Sequence, residues 1–276
     1  MARVEPVTTG YEWSYVPARL IDRYRQLVSG VERTGKAALA AQLSAGHQTT
    51  EAAVKALVTV TMRGADSELS EIDRQYYETA RASVTGKEWT VGKVVDETWS
   101  DEVERAIDAM MREYGEYDPL VGMYVIRDDE YDRFESDLEQ FFTRMVNDRS
   151  KHYVEQYGRR DYMQPRYARV PSGLETCAYC YAIAGLGFQY RSAESAKRHS
   201  HANCDCAIVP SWGGSYVEGY DSEVYANMFR DARSWLNSSD APDELRRRVS
   251  EDSRERGYTR GWNGVLAAMR KKYDLK

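Results

Sequence analysis

The chain has 276 residues, 42% of them hydrophobic and 30% charged, with a net charge of -6 and a pI near 5.5. That length suits one or two domains with a sizeable core, the composition excludes global disorder, and the acidic balance speaks against nucleic acid as the main partner. No apolar run approaches the ~20 residues needed to span a bilayer. Met1-Ala2-Arg3-Val4-Glu5-Pro6 lacks the apolar stretch of a secretory signal, so the expectation is a chain that folds in a reducing cytoplasm. Tyrosine, at 21 residues against five phenylalanines, suits half-wet surfaces or faces that pack on partners.

Residues 1–16 read as an extended arm. Pro17 is a good first helical residue, and Leu20, Ile21, Tyr24, Leu27 and Val28 follow at helical spacing. Gly30 and Gly35 weaken that helix before the Ala37–Leu43 run resumes it, and Gly46 is a stop. Thr50 caps a second helix running to about Thr61, and residues 66–83 carry another that Gly86 closes. Ser100 precedes Asp101 and Glu102, acids in a first turn, with Val103, Ile107, Met110, Met111 and Tyr114 as the buried stripe. Gly115, Pro119 and Gly122 mark a break.

The clearest helix spans Asp128 to about Tyr157, with Phe134, Leu138, Phe141, Phe142, Met145 and Val146 on one face, acids early and basic residues late. Such a stripe is a core face. Composition changes at Gly158-Arg159-Arg160, where a boundary is placed. Beyond Gly213-Gly214, helices are expected at about 221–236, at about 241–254 entered at Pro242, and from Trp262 to Tyr273. The fold class is mainly α: an arm (1–16), a helical domain (17–158), a small Cys/His module with a short β-hairpin (159–214) and a C-terminal helical segment (215–276).

All four cysteines fall within 30 residues: Cys177, Cys180, Cys204 and Cys206, with His199 and His201 among them. Zinc takes four ligands tetrahedrally, with sulfur at ~2.3 Å. A C-x-x-C turn lets two thiolates face one point, and the second group returns through the spacer. That spacer holds a turn and short strand at Gly185–Tyr190 and a short helix capped by Ser192, and Ala207-Ile208-Val209 leaves as a strand. The ligands expected are Cys177 and Cys180 with two of His201, Cys204 and Cys206, closed around a structural Zn2+; His199 is a surface or outer donor. The alternatives are a redox or disulfide pair, which would want a βαβ setting, or inert thiols.

The pattern Cys177-x-x-Cys180, Gly187, His201-x-x-Cys204-x-Cys206 resembles the C-terminal signature of phage Mu F-like minor head proteins, the head morphogenesis proteins, and in particular the actinobacteriophage members encoded beside the portal. The likeness is specific over about residues 170–212 and architectural over 1–160. Asp205 stands where arginine is common, so no role for a positive charge carries over there. The resemblance implies a structural component of the virion, made in the host cytoplasm, at the portal vertex or head interior, contacting the portal and major capsid proteins and oligomeric in the particle.

Some relatives are labelled capsid maturation proteases. Here there is no His-Glu-x-x-His helix and no Gly-x-Ser-x-Gly elbow, although Ser192, Ser195 and Ser200 lie near His199 and His201. The other reading is a zinc-dependent nucleic-acid-binding or nuclease module. Arg159, Arg160, Arg166, Arg169, Arg191, Lys197 and Arg198, with Tyr162, Tyr167, Tyr179, Tyr181 and Tyr190 between them, form a basic face able to touch packaged DNA. Its plain counterpart is a solvated basic face on an acidic chain.

Overall fold

The computed structural model describes residues 15–46, 49–96, 98–172, 176–197, 206–213, 216–255 and 262–275. The expected arm at 1–16 lies outside them except for its last two residues. Nine α-helices and four short strands are present among the described residues, in the order α1 (Ala18–Gly46), α2 (Glu51–Thr85), α3 (Ser100–Tyr114), β1 (Gly115–Asp118), β2 (Met123–Ile126), α4 (Tyr131–Arg160), β3 (Arg166–Val170), α5 (Ala178–Ala184), α6 (Ala193–Lys197), β4 (Ala207–Ser211), α7 (Ser222–Leu236), α8 (Asp243–Glu255) and α9 (Trp262–Tyr273). None of these helices is long and apolar enough to cross a membrane.

Helices α1, α2 and α4 pack on one another and carry most of the core. α1 runs without interruption through Gly30 and Gly35. Gly35 sits directly against the buried Phe142 ring, where an added Cβ would lie 2.2–2.3 Å from ring carbons. The glycine is the seat that lets α1 and α4 approach.

α2 is one helix of 35 residues, not two. Thr50 caps it, accepting a hydrogen bond from the Ala53 N–H at 3.4 Å, and Gly86 ends it in the left-handed conformation (φ 65°). Gly64 does not break it, because the buried stripe Val54, Val58, Met62, Ala65, Leu69, Tyr76, Tyr77, Ala80 continues at helical spacing through that point. Tertiary burial of a continuous face outweighs a local propensity loss of ~1 kcal/mol.

The break expected at 115–122 is an antiparallel hairpin, with Glu116 opposite Val125 and Tyr117 opposite Tyr124. It is anchored to the start of α2 by a Thr50–Val125 bridge and an Ile126 N–H to Thr49 carbonyl bond of 2.9 Å.

β3 and β4 also pair antiparallel, in the register Arg166–Ser211 to Val170–Ala207. Within their long connection, α6 begins as expected: the Ser192 hydroxyl oxygen accepts from the Ser195 N–H at 3.1 Å. Gly185–Tyr190 forms no strand; Tyr190 makes a single bridge to Tyr167. Tyr167, Ala168, Ile208 and Val209 join the same buried cluster as the long helices. α5, α7 and α9 share a second cluster around Ala232, Val265 and Met269. Near the start of the described chain, Val16 is fully buried and bridges Val217 in parallel, while the Glu218 carboxylate accepts from the Ala18 N–H at 3.1 Å and so caps α1.

Candidate functional site

Cys177 is the N-cap of α5, and its sulfur accepts from the Cys180 N–H at 3.5 Å. This turn is what a C-x-x-C pair adopts when both sulfurs are to face one point. β4 delivers Cys206: Val170 pairs with Ala207, so the residue before Ala207 reaches the start of α5. Cys180 and Cys206 are both 1% exposed and pack together, with Cys177 and Tyr179 against them. None of the three is in a disulfide.

Three of the five proposed ligands therefore come together from two sequence-distant stretches. His201 and Cys204 lie outside the described residues, as does His199. Among the described residues no group of three or more His, Cys, Asp and Glu side chains is arranged to hold a metal ion; the packing of the thiols is shown, and a completed coordination shell is not.

Arg169, read from sequence as part of an exposed basic face, is 1% exposed and points into this cluster. Its Nη2 lies 3.8 Å from Cys180 Sγ and its guanidinium carbon 5.8 Å from the centre of the Tyr179 ring. A fixed positive charge at that depth offsets negative charge gathered on neighbouring sulfurs. The rest of the expected basic face is dispersed: Arg159 pairs with Glu155, Arg160 donates to the Gly92 carbonyl at 3.1 Å, and Tyr167 is buried. Arg159, Arg160, Arg166 and Arg191 are nevertheless exposed. Lys197's side chain and Arg198 lie outside the description. Ser195, considered as a nucleophile, donates its hydroxyl to the Ser192 carbonyl at 2.8 Å, a helix-start bond.

A second constellation escaped the sequence reading. Beside the half-exposed tyrosines stands a buried set: Tyr24, Tyr76, Tyr77, Tyr153 and Tyr157 are at most 3% exposed, Tyr76 donating to the Ile208 carbonyl of β4 and the other four tied by their hydroxyls into a polar network around α1, α2 and α4. Arg149 Nε donates to Asp66 at 2.6 Å and Tyr153 OH to the other Asp66 oxygen at 2.6 Å. Asp96 accepts from the Thr98 N–H at 2.9 Å and meets Arg149 and His152. Burial raises the Asp96 carboxyl, but the Thr98 hydrogen bonds and the neighbouring Arg149 and His152 outweigh it and hold the group down at about 2.

Asp73 behaves oppositely. It is fully buried, accepts from Ser150 Oγ at 3.0 Å, and its Oδ2 has no hydrogen-bond partner. Burial pushes this carboxyl well above the usual carboxylate range against the hydrogen bonds of Tyr24 and Ser150. Asp161 joins the helices to the cysteine module. It accepts from Arg81 Nε at 2.9 Å, Trp212 Nε1 at 2.8 Å and Tyr77 OH at 3.2 Å. Trp89 and Tyr162 lie 4.9 and 5.4 Å from the Arg81 guanidinium. The period-3.6 pattern places these polar positions on helices but does not pair them across the bundle, so composition alone gave no signal for the network.

None of the curated proteins and none of the solved structures compared with the chain matches it. A family model described as VG15 protein, a phage-associated family, matches residues 16–232, from the buried Val16 bridge through the cysteine module to α7. With most of its length matched, including every residue of the polar network and the thiol cluster described above, the chain belongs to the VG15 protein family, and it is a phage protein.

Proposed function

We propose that this protein is a minor head component of a phage particle, seated at the portal vertex or head interior, whose cysteine module is closed by one structural Zn2+. The observation that carries the reading is the meeting of Cys177, Cys180 and Cys206 in one buried cluster, in a chain of a phage family. The donor set fits the ion: soft sulfurs, a Cys180 N–H directed at Cys177 Sγ, and buried Arg169 to balance charge. Cys177 and Cys180 would supply two ligands and two of His201, Cys204 and Cys206 the others. Bound there, the ion supplies cross-linking and no reaction, since a site filled by four protein ligands has no open position. It would pin α5 to the entry of β4.

The partners this reading implies are the portal and major capsid proteins, with the exposed Arg166 and Arg191 available to packaged DNA. Two measurements test it. Elemental analysis of the purified full chain should give one zinc per chain, and Cys177→Ser or Cys206→Ser should lower both zinc content and melting temperature. Mass spectrometry of purified particles should find the chain in them. A metal-free chain that melts unchanged in chelator overturns the zinc site, and absence from particles overturns the head assignment.

A further inference from the structure

The β1–β2 hairpin carries the most exposed large apolar side chain of the described residues, with two further exposed ones close to it. Leu120 is 93% exposed, Tyr117 58% and Val121 48%. Isolated exposed leucines are ordinary, but three apolar residues at one projecting tip are not a solvated loop's composition. The tip is also held in shape. The Asp118 carboxylate accepts from the Leu120 N–H at 2.8 Å, the Asp118 carbonyl accepts from the Gly122 N–H at 2.8 Å, and Gly122 takes the positive φ of 71° that closes the turn. Tyr117 and Tyr124 stack edge-on across the strands at 5.8 Å. At the base, Arg127 donates to the Gly115 and Glu113 carbonyls, fixing the hairpin to the end of α3. A tip ordered in advance loses little freedom when it binds.

Its surroundings are acidic. Residues 112–133 contain seven carboxylates against three arginines, a net of -4 within a chain whose total is -6. Two of those arginines, Arg127 and Arg133, turn onto Glu130. Glu113, Glu116, Asp128 and Asp129 remain exposed around the hairpin's base. This distribution repels nucleic acid and membranes with anionic head groups, and it complements a basic protein surface.

We propose that the hairpin is a docking prong for another protein: Leu120 and Val121 enter an apolar pocket, and the carboxylates at the base meet lysines and arginines on that pocket's rim. The inference stands on the hairpin itself and does not require the head assignment. To test it, the photoreactive residue p-benzoylphenylalanine replaces Val121 in the full chain, expressed in cells producing the phage, and cross-linked peptides are identified after irradiation. The same residue at Val60, 66% exposed on α2, is the control.

The expected result is a cross-link from position 121 to a Lys/Arg-bearing segment of a different protein, at least tenfold above the Val60 control. Leu120→Ser, or Glu116→Lys with Asp128→Lys, should reduce its yield at least tenfold while the melting temperature stays unchanged. A yield no higher than the control, a product with DNA or with a second copy of this chain, a product with a segment lacking Lys and Arg, or indifference to Leu120→Ser overturns the proposal. Whether the chain enters particles is read separately by mass spectrometry, so failure of the head assignment leaves the prong intact and failure of the prong leaves the head assignment intact.

Discussion

Replacing Asp161 by alanine should be among the most damaging single changes this protein can suffer. Its carboxylate is fully buried and its partner Arg81 is 1% exposed. Removing one member of a buried ion pair costs about 3–5 kcal/mol, because the remaining charge stays desolvated and uncompensated. Tyr77 and Trp212 lose an acceptor as well, at about 1 kcal/mol each. The ring faces of Trp89 and Tyr162 stay beside Arg81 and return part of that, roughly 1–2 kcal/mol. The net expectation is about 4 kcal/mol, which at about 2–4 °C per kcal/mol for a chain of this size lowers the melting temperature by roughly 8–16 °C. Urea unfolding followed by tryptophan fluorescence measures it, with Trp89 and Trp212 close to the change. Asp161→Ala combined with Arg81→Met should recover most of the loss, since no charge is then stranded. A loss under about 1 kcal/mol, or a double variant no better than the single one, would refute the claim that an uncompensated charge is the cause.

Asp73 gives a pH test. Its folded carboxyl titrates above the unfolded value of about 3.9, so the folded state keeps a proton that the unfolded chain releases, and the stability present below pH 4 falls as pH rises toward the folded value. Asp73→Asn should remove that downward slope above pH 4 in urea midpoints; parallel curves for the two proteins would count against it. Two glycines of α1 should behave in opposite ways: Gly35→Ala, facing the Phe142 ring, should destabilise by about 1–3 kcal/mol, while Gly30→Ala, with nothing within 4 Å, should stabilise by about 0.5–1 kcal/mol. Calorimetry of both variants checks the pair.

The helices were legible where local chemistry and burial agree. Thr50 and Ser192 are caps with their expected hydrogen bonds, and the stripe from Phe134 to Val146 is buried as its spacing implies. The reading failed where tertiary contact overrides local signals. The local pattern divides α2 between about Thr61 and residue 66, a break that a continuous buried face does not permit. Gly115 and Gly122 read as irregular chain because β1 and β2 are only four residues each, too short for alternation to show. In the cysteine module the thiols' convergence was visible in their spacing, whereas Arg169 was not distinguishable from its neighbours. In β3 it alternates with residues of both kinds, and only the position of α5 decides that its side chain faces sulfur and not water.

The bridge between Val16 and Val217, with Glu218 capping α1, has a consequence for biosynthesis. α1 receives its cap from a residue translated 200 positions later. At about 5–20 residues per second, α1 waits roughly 10–40 s for that partner. Nascent chains would therefore pass through an interval in which α1 and α2 are already helical and the apolar Val16 is still uncovered, which is the interval in which chaperone capture would act on this protein.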